Sequence, residues 1–178
     1  MKNTAAQQHW LEKNHKMLEI VPATEADFDQ IWPIFRDIVS TGDTYVYRAQ
    51  ISRDEAKKVW MDPKFRTFIA KDDGKVVGAY VIRPNHRDLG DHIANAAYIV
   101  ARAHQNNGIG KKMALHSFEQ AKLSGYRAMQ FNYVVSTNER AVKLWQSLGF
   151  EIIGTVPDGH QHQELGKLVP IHIMHKVL

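Results

Sequence analysis

The sequence predicts a single mixed α/β domain built on a sheet of six or seven strands. Three observations carry that prediction. Apolar runs succeed one another in the order strand, two helices, several strands, helix, strand, helix and two strands. A strand-helix-strand unit from Ala94 through Gly108 to Val135 is expected to cross over right-handed and to pair its strands in parallel. The 178 residues, 44% hydrophobic and 24% charged, supply one core and leave no room for a second full domain.

The elements follow in order. Residues 1–17 are polar and mixed in charge, with Trp10 and Leu11 as an isolated apolar pair, and read as an accessory helix or loose extension ahead of a domain spanning 18–178. LEIVPA (18–23) is a short strand, and Thr24 to Asp27 opens a helix in the manner of a capping box. Phe28, Ile31, Trp32, Phe35, Ile38 and Val39 form its apolar stripe. Pro33, which has no amide hydrogen to donate to residue 29, predicts a kink or break there. TGDTYVYRAQ (41–50) is a loop carrying two tyrosines, and Ser52 to Glu55 caps a second helix through Trp60. The runs 65–71 and 75–83 flank Asp72-Asp73-Gly74 and read as a hairpin. After the polar loop PNHRDLGDH come a strand (ANAAYIVARA, 94–103), a helix (108–125), a strand (129–135) and a helix (138–148) stopped by Gly149. The runs 150–156 and 171–177 are the closing strands.

Composition narrows the chemistry. The absence of cysteine excludes disulfides, thiolate zinc sites and a cysteine nucleophile. No apolar run reaches the roughly 18–20 residues needed to span a bilayer, and residues 1–16 hold no apolar stretch like a secretory signal, so a soluble cytoplasmic protein is the expectation. The net charge of +4 raises a nucleic-acid reading, but no basic stripe interleaved with aromatics supports one. Of the ten histidines, His160, His162, His172 and His175 have neither helical zinc spacing nor a carboxylate cluster, so no metal is expected.

Gln105-Asn106-Asn107-Gly108-Ile109-Gly110 sits between a strand and a helix. Glycine there lets backbone approach a ligand, and the free amides at the helix start suit a phosphate. It is neither a Walker loop nor a dinucleotide fingerprint, since Met113 stands where a third glycine would be. Its plain alternative is a tight turn. YIVARAHQNNGIGKKM resembles the acetyl-CoA turn of the GNAT superfamily of N-acetyltransferases. STNERAVKLWQSLGFEIIGT resembles that superfamily's later helix and strand, at the expected order and separation. The resemblance covers all but residues 1–17 and implies a mostly antiparallel sheet with a V-shaped splay and about four flanking helices. It implies acetyl-CoA as co-substrate, with no metal. Backbone groups of Tyr98, Ile99 and Val100 would hold the acetyl carbonyl and pantetheine. Gln105, Asn106, Asn107, Gly108, Ile109 and Gly110 would cradle the pyrophosphate, and Asn138 would bond to the cofactor arm. A helix cap explains Asn138 as well.

The sequence departs from the superfamily's pattern at the acid and the base. Trp145 stands where many members carry a tyrosine, and an indole N–H is no useful proton donor, so Trp145 is expected in the core and pocket wall. Asn95 stands where several relatives place a glutamate; an amide cannot accept the ammonium proton but can hold a water or the amine, so the expected catalytic role of Asn95, with Asn132, is a water-relayed deprotonation. Asn132 is expected across the same opening. Asn95, Asn132 and Asn138 resemble the asparagines of fungal azetidine-2-carboxylate and proline acetyltransferases, and NYVVSTN, LWQSLGF and GTVP also resemble the phosphinothricin-type branch. A satisfied sheet-end amide is the other reading of a strand asparagine. Arg83, His86 and Arg87 border a loop that would attract a carboxylate or merely face solvent. The expected function is acetyl transfer to a small amine, such as an amino acid or a proline-type imino acid, by direct attack. The alternatives are a non-catalytic acyl-CoA-binding module and an enzyme acting on peptide or protein N-termini. A homodimer accords with the superfamily, in which dimers are common.

Overall fold

The computed structural model describes residues 18–178, so the extension expected over residues 1–17 lies outside the described residues. Strand β1 (Glu19–Pro22) passes through a 3-10 turn (Glu25–Asp27) into α1 (Phe28–Val39), and α2 (Arg53–Trp60) follows. The Asp27 carboxylate accepts from the Thr24 amide (2.8 Å) and hydroxyl (2.6 Å), which pins the entry to α1. Ser52 and Glu55 exchange the reciprocal bonds of a capping box at α2. Phe28, Ile31, Phe35 and Val39 form the buried stripe of α1. The break expected at Pro33 is absent, and α1 runs through it as one 12-residue helix. Pro33 is exposed, and the carbonyl deprived of a helical donor belongs to exposed Asp29, where water can serve it.

Strands β2 (Arg66–Asp72) and β3 (Lys75–Pro84) form the expected hairpin. Strand β4 (Ile93–Val100) is shorter than predicted, because the chain turns into a 3-10 segment at Arg102–His104 before α3 (Ile109–Leu123). Strand β5 (Ala128–Val135), α4 (Glu139–Ser147), β6 (Glu151–His162) and β7 (Lys167–Val177) complete the chain. The last hairpin is far longer than its apolar pattern predicts. Pro157 and a register slip between Val156 and His160 interrupt the alternation, while pairing with β7 supplies the backbone bonds that keep it a strand.

The seven strands lie in the order β1-β2-β3-β4-β5-β7-β6, antiparallel except for the expected parallel pair β4–β5. That pair is joined at only two positions, Ile93 to Ala128 and Ala94 to Met129. Beyond them the strands part. Side chains alternate between the faces. One face packs Tyr80, Met129, Phe131 and Trp145 with α3 and α4, and the other packs Phe35, Trp60, Val81 and Ile99 with α1 and α2. Phe35 meets Tyr45, Tyr47 and Trp60 edge-on at 5.6–5.8 Å, which ties the loop after α1 to that second core. Among the described residues no helix is long and apolar enough to cross a membrane.

Burial raises the pKa of Asp27, but the Thr24 bonds and the Lys71 ammonium outweigh it and hold the carboxyl below its ordinary value. A carboxyl depressed in the fold stabilises above its unfolded pKa, near 4, and that contribution fades as pH falls through the folded value. Asp27→Asn is therefore expected to cost about 1–2 kcal/mol at pH 7 in urea denaturation. The gap to the native chain should narrow below about pH 4. A gap independent of pH would contradict the assignment.

Candidate active site

The parting of β4 from β5 leaves backbone groups without a neighbouring strand. The Ala101 amide donates to the Val77 carbonyl (2.8 Å), so the alternation of an antiparallel ladder turns the Ile99 groups toward β3 and the Tyr98 and Val100 groups toward the gap. There the Tyr98 carbonyl accepts from the Tyr45 hydroxyl (2.8 Å) and the Val100 carbonyl from Gln105 Nε2 (3.4 Å). The Tyr98 and Val100 amides are left for a ligand. Burial pushes the Tyr45 hydroxyl well above its ordinary value, so it stays a neutral donor.

At the open end of the gap the turn before α3 closes the wall. Asn106 and Gly108 both hold positive φ (66° and 74°), and a Cβ built on Gly108 would meet nothing within 4 Å. The backbone thus faces open space at the helix start, where the first amides of α3 have no helical acceptor. The helix dipole adds positive potential at the same point. Arg102, Lys111, Arg140 and Lys143 stand around this end. Arg102 is paired with Asp37 and Lys143 with Glu139, whereas Lys111 and Arg140 have no carboxylate partner among the described residues.

These groups line one cleft of about 1060 Å³, which reaches from the α3 turn through the splay to the loop after α1 and the β6–β7 hairpin. Trp145 is buried against Tyr98 (4.9 Å between rings) and Phe131 (4.7 Å), and it lines the cleft as core and wall. The Tyr98 hydroxyl points away from the cleft to Ser117 (2.6 Å), and burial raises its pKa. Asn138 caps α4 by accepting from the Ala141 amide (3.1 Å) and also faces the cleft.

The other two predicted asparagines lie together at the closed end of the V, outside the cleft lining. Asn95 Nδ2 donates to the Gln130 carbonyl (2.9 Å), one residue beyond the last β4–β5 pair, so its side chain takes the place of the missing ladder bond. Asn132 Nδ2 donates to Asn85 Oδ1 (2.6 Å) and its Oδ1 accepts from Gln130 Nε2 (2.8 Å). Of the trio Arg83, His86 and Arg87, only Arg83 is half-buried. It stacks over Phe65 (5.8 Å) and lies opposite Asn95 on the face that carries Ala97 of the cleft wall, while His86 and Arg87 are exposed. Tyr45 and Asn85 carried no sequence signal, because each matters through a partner at least ten residues away. Among the described residues no three His, Asp or Glu side chains gather as metal ligands.

Residues 28–150 match the family model described as Acetyltransferase (GNAT) family. A relative, the N-acetyltransferase aca1 of Schizosaccharomyces pombe, is 29% identical over 138 residues, and the match spans 67% of this chain and 65% of that protein's length. Among solved structures, a GCN5-related N-acetyltransferase from Kribbella flavida superposes with a TM-score of 0.86 at 43% identity, covering 90% of this chain and 98% of the other. A phosphinothricin acetyltransferase from Sinorhizobium meliloti, solved in complex with acetyl-CoA, shares the fold with a TM-score of 0.80 at 19% identity, covering 90% and 88%.

The placement of Asn95 yields a stability prediction. Asn95→Ala should cost about 1–2 kcal/mol in chemical denaturation, because the Gln130 carbonyl loses its donor at the vertex. An unchanged midpoint would show that the vertex holds without it.

Proposed function

The chain belongs to the Acetyltransferase (GNAT) family, and from that premise we propose that it transfers the acetyl group of acetyl-CoA to the amine of a small acceptor, an amino acid or an analogue, by direct attack in a ternary complex. The observation that carries the reading is the joining, in one cleft, of two free strand amides with an amide-lined helix start. The donor set suits an acyl-CoA: Tyr98 and Val100 offer amides to an extended amide-bearing arm as an added strand would, and the α3 turn offers amides to a pyrophosphate. The Nδ2 of Asn138, not used by its capping bond, extends that set.

A strand amide facing the acyl oxygen would polarise the carbonyl, and the cleft would align the amine with it. Direct transfer is the simpler course in a chain without cysteine. Asn95 and Asn132 enter this reading through position: they brace the vertex from which both strands diverge.

Arg83 supports an acceptor that carries a carboxylate. It is a half-buried cation on the α1–α2 face of the sheet, with no carboxylate partner among the described residues. Its charge also acts on the Tyr45 hydroxyl in the cleft wall. A guanidinium held there offers two parallel donors to a carboxylate.

Two experiments test the reading. Gly108→Trp should abolish acetyl-CoA binding in calorimetry, since it fills the space before the α3 amides and forces a side chain into positive φ; unchanged affinity would sink the cofactor assignment. With an amino-acid panel, Arg83→Gln should raise KM about tenfold or more for acceptors with a free carboxylate. It should leave their amides nearly untouched, and equal effects on both would remove the carboxylate from the proposal.

A further inference from the structure

Neither Asn95 nor Trp145 can take a proton from the acceptor, so the base lies elsewhere. Of the two carboxylates among the cleft's described residues, Asp43 accepts from the Thr41 and Thr44 hydroxyls on Oδ1 and Glu139 pairs with Lys143 through Oε2 (2.9 Å), while His104 stands in the turn before α3, at the anion end. His162 accepts the Leu165 amide on Nδ1 (3.3 Å), so its neutral ring carries hydrogen on Nε2 and has no lone pair to spare. Tyr45 and Tyr98 spend their hydroxyl hydrogens on the Tyr98 carbonyl and on Ser117, with no proton acceptor behind either.

Tyr133 differs from both. Its ring lines the cleft, and its hydroxyl oxygen lies 2.9 Å from His160 Nδ1 and 3.0 Å from the Gly159 carbonyl. On the far side of the ring, His160 Nε2 lies 2.9 Å from the Gly42 carbonyl. A carbonyl only accepts, so Nε2 carries the hydrogen and neutral Nδ1 presents its lone pair to Tyr133. The tyrosine hydrogen then goes to Nδ1. Adding a proton at Nδ1 reverses that bond, and the tyrosine turns its hydrogen to the Gly159 carbonyl. Three donors then meet three acceptors, so the arrangement takes up a proton without moving a heavy atom.

The framework around the pair is held tightly. Gly42 sits at φ +63°, and a Cβ there would overlap the Gln163 side chain at 2.2 Å, so only glycine brings its carbonyl this close to the hairpin. His160 is 7% exposed and stands behind Tyr133 as seen from the cleft. Burial also keeps the Tyr133 hydroxyl above its ordinary pKa, hence protonated and able to pass its hydrogen on.

We propose that Tyr133 is a catalytic residue and His160 its positioning and proton-receiving partner, together forming the relay that deprotonates the acceptor ammonium. The ammonium N–H bond breaks and its proton joins Tyr133 Oη while the tyrosine's own hydrogen passes to His160 Nδ1. The freed nitrogen pair forms the bond to the acyl carbon. The carbon–sulfur bond then breaks, and sulfur leaves with the electron pair and takes the second proton of the nitrogen. His160 returns its proton to solvent as products leave. The titratable groups around His160 are Tyr133 on β5, His162 on its own strand (ring centroids 6.1 Å apart) and Asp43 in the loop it bonds.

The relay rests on the direct transfer proposed above, and the tests separate the two. Tyr133→Phe keeps the ring and should lower kcat about 100-fold with acetyl-CoA affinity unchanged in calorimetry. His160→Gln can still bond to Tyr133 or Gly42 but cannot take the proton, and it should remove the acid limb of the kcat/KM profile against pH. Intersecting double-reciprocal lines with Tyr133→Phe within threefold of the native rate would overturn the relay alone. Parallel lines would overturn direct transfer and the relay with it. A nitrogen-15 NMR spectrum of the imidazoles needs no acceptor: neutral His160 should carry hydrogen on Nε2, and a hydrogen on Nδ1 would refute the geometry.

Discussion

The structure depends on one interruption: β4 and β5 pair at two positions and then diverge. Two parallel strands that stayed paired would satisfy every backbone group between them and leave nothing to bind. Parting them exposes donors and acceptors that must find partners. The chain meets this demand selectively. Asn95 bonds the first orphaned carbonyl at the vertex, while Tyr45 and Gln105 serve two more carbonyls along the gap. The amides of Tyr98 and Val100 stay open. Tyr98, Phe131 and Trp145 fill the space beneath, so the gap is a wedge with a solid floor.

From that wedge the two ends of the cleft take different characters. Toward α3, backbone amides, the helix dipole and the cations Lys111 and Arg140 gather positive potential suited to an anion. Toward the loop after α1, the wall is built of hydroxyls and rings from three distant segments, joined where His160 bridges Tyr133 and Gly42. The long β6–β7 hairpin exists to reach that loop. Without that reach His160 would not meet the Gly42 carbonyl that holds it.

Much of the fold was legible because it rests on local rules. The Thr24–Asp27 and Ser52–Glu55 caps, the hairpin around Asp73-Gly74, and the Gly108 turn each follow from residues within a few positions of one another. The stripe of α1 was equally plain. Pro33 does not break the helix because its effect depends on whether the freed carbonyl is buried, and helix periodicity does not report which side water reaches. The final hairpin was underestimated because Pro157 and Pro170 lie within it and its edge strand is largely exposed. Pairing between strands, not side-chain alternation, holds it there.

By itself the sequence determined the order of elements, the glycine turn before α3, the helix start at Asn138 and the place of Trp145 in the wall, since helix starts, glycine turns and apolar spacing are properties of neighbouring residues. Only the tertiary structure decided that Asn95 braces the vertex, that Tyr45 reaches across 53 positions to the Tyr98 carbonyl, and that His160 stands behind Tyr133. These depend on where strands stop pairing and on how far a hairpin extends. No local pattern encodes either, because each is settled by the packing of segments remote in the chain.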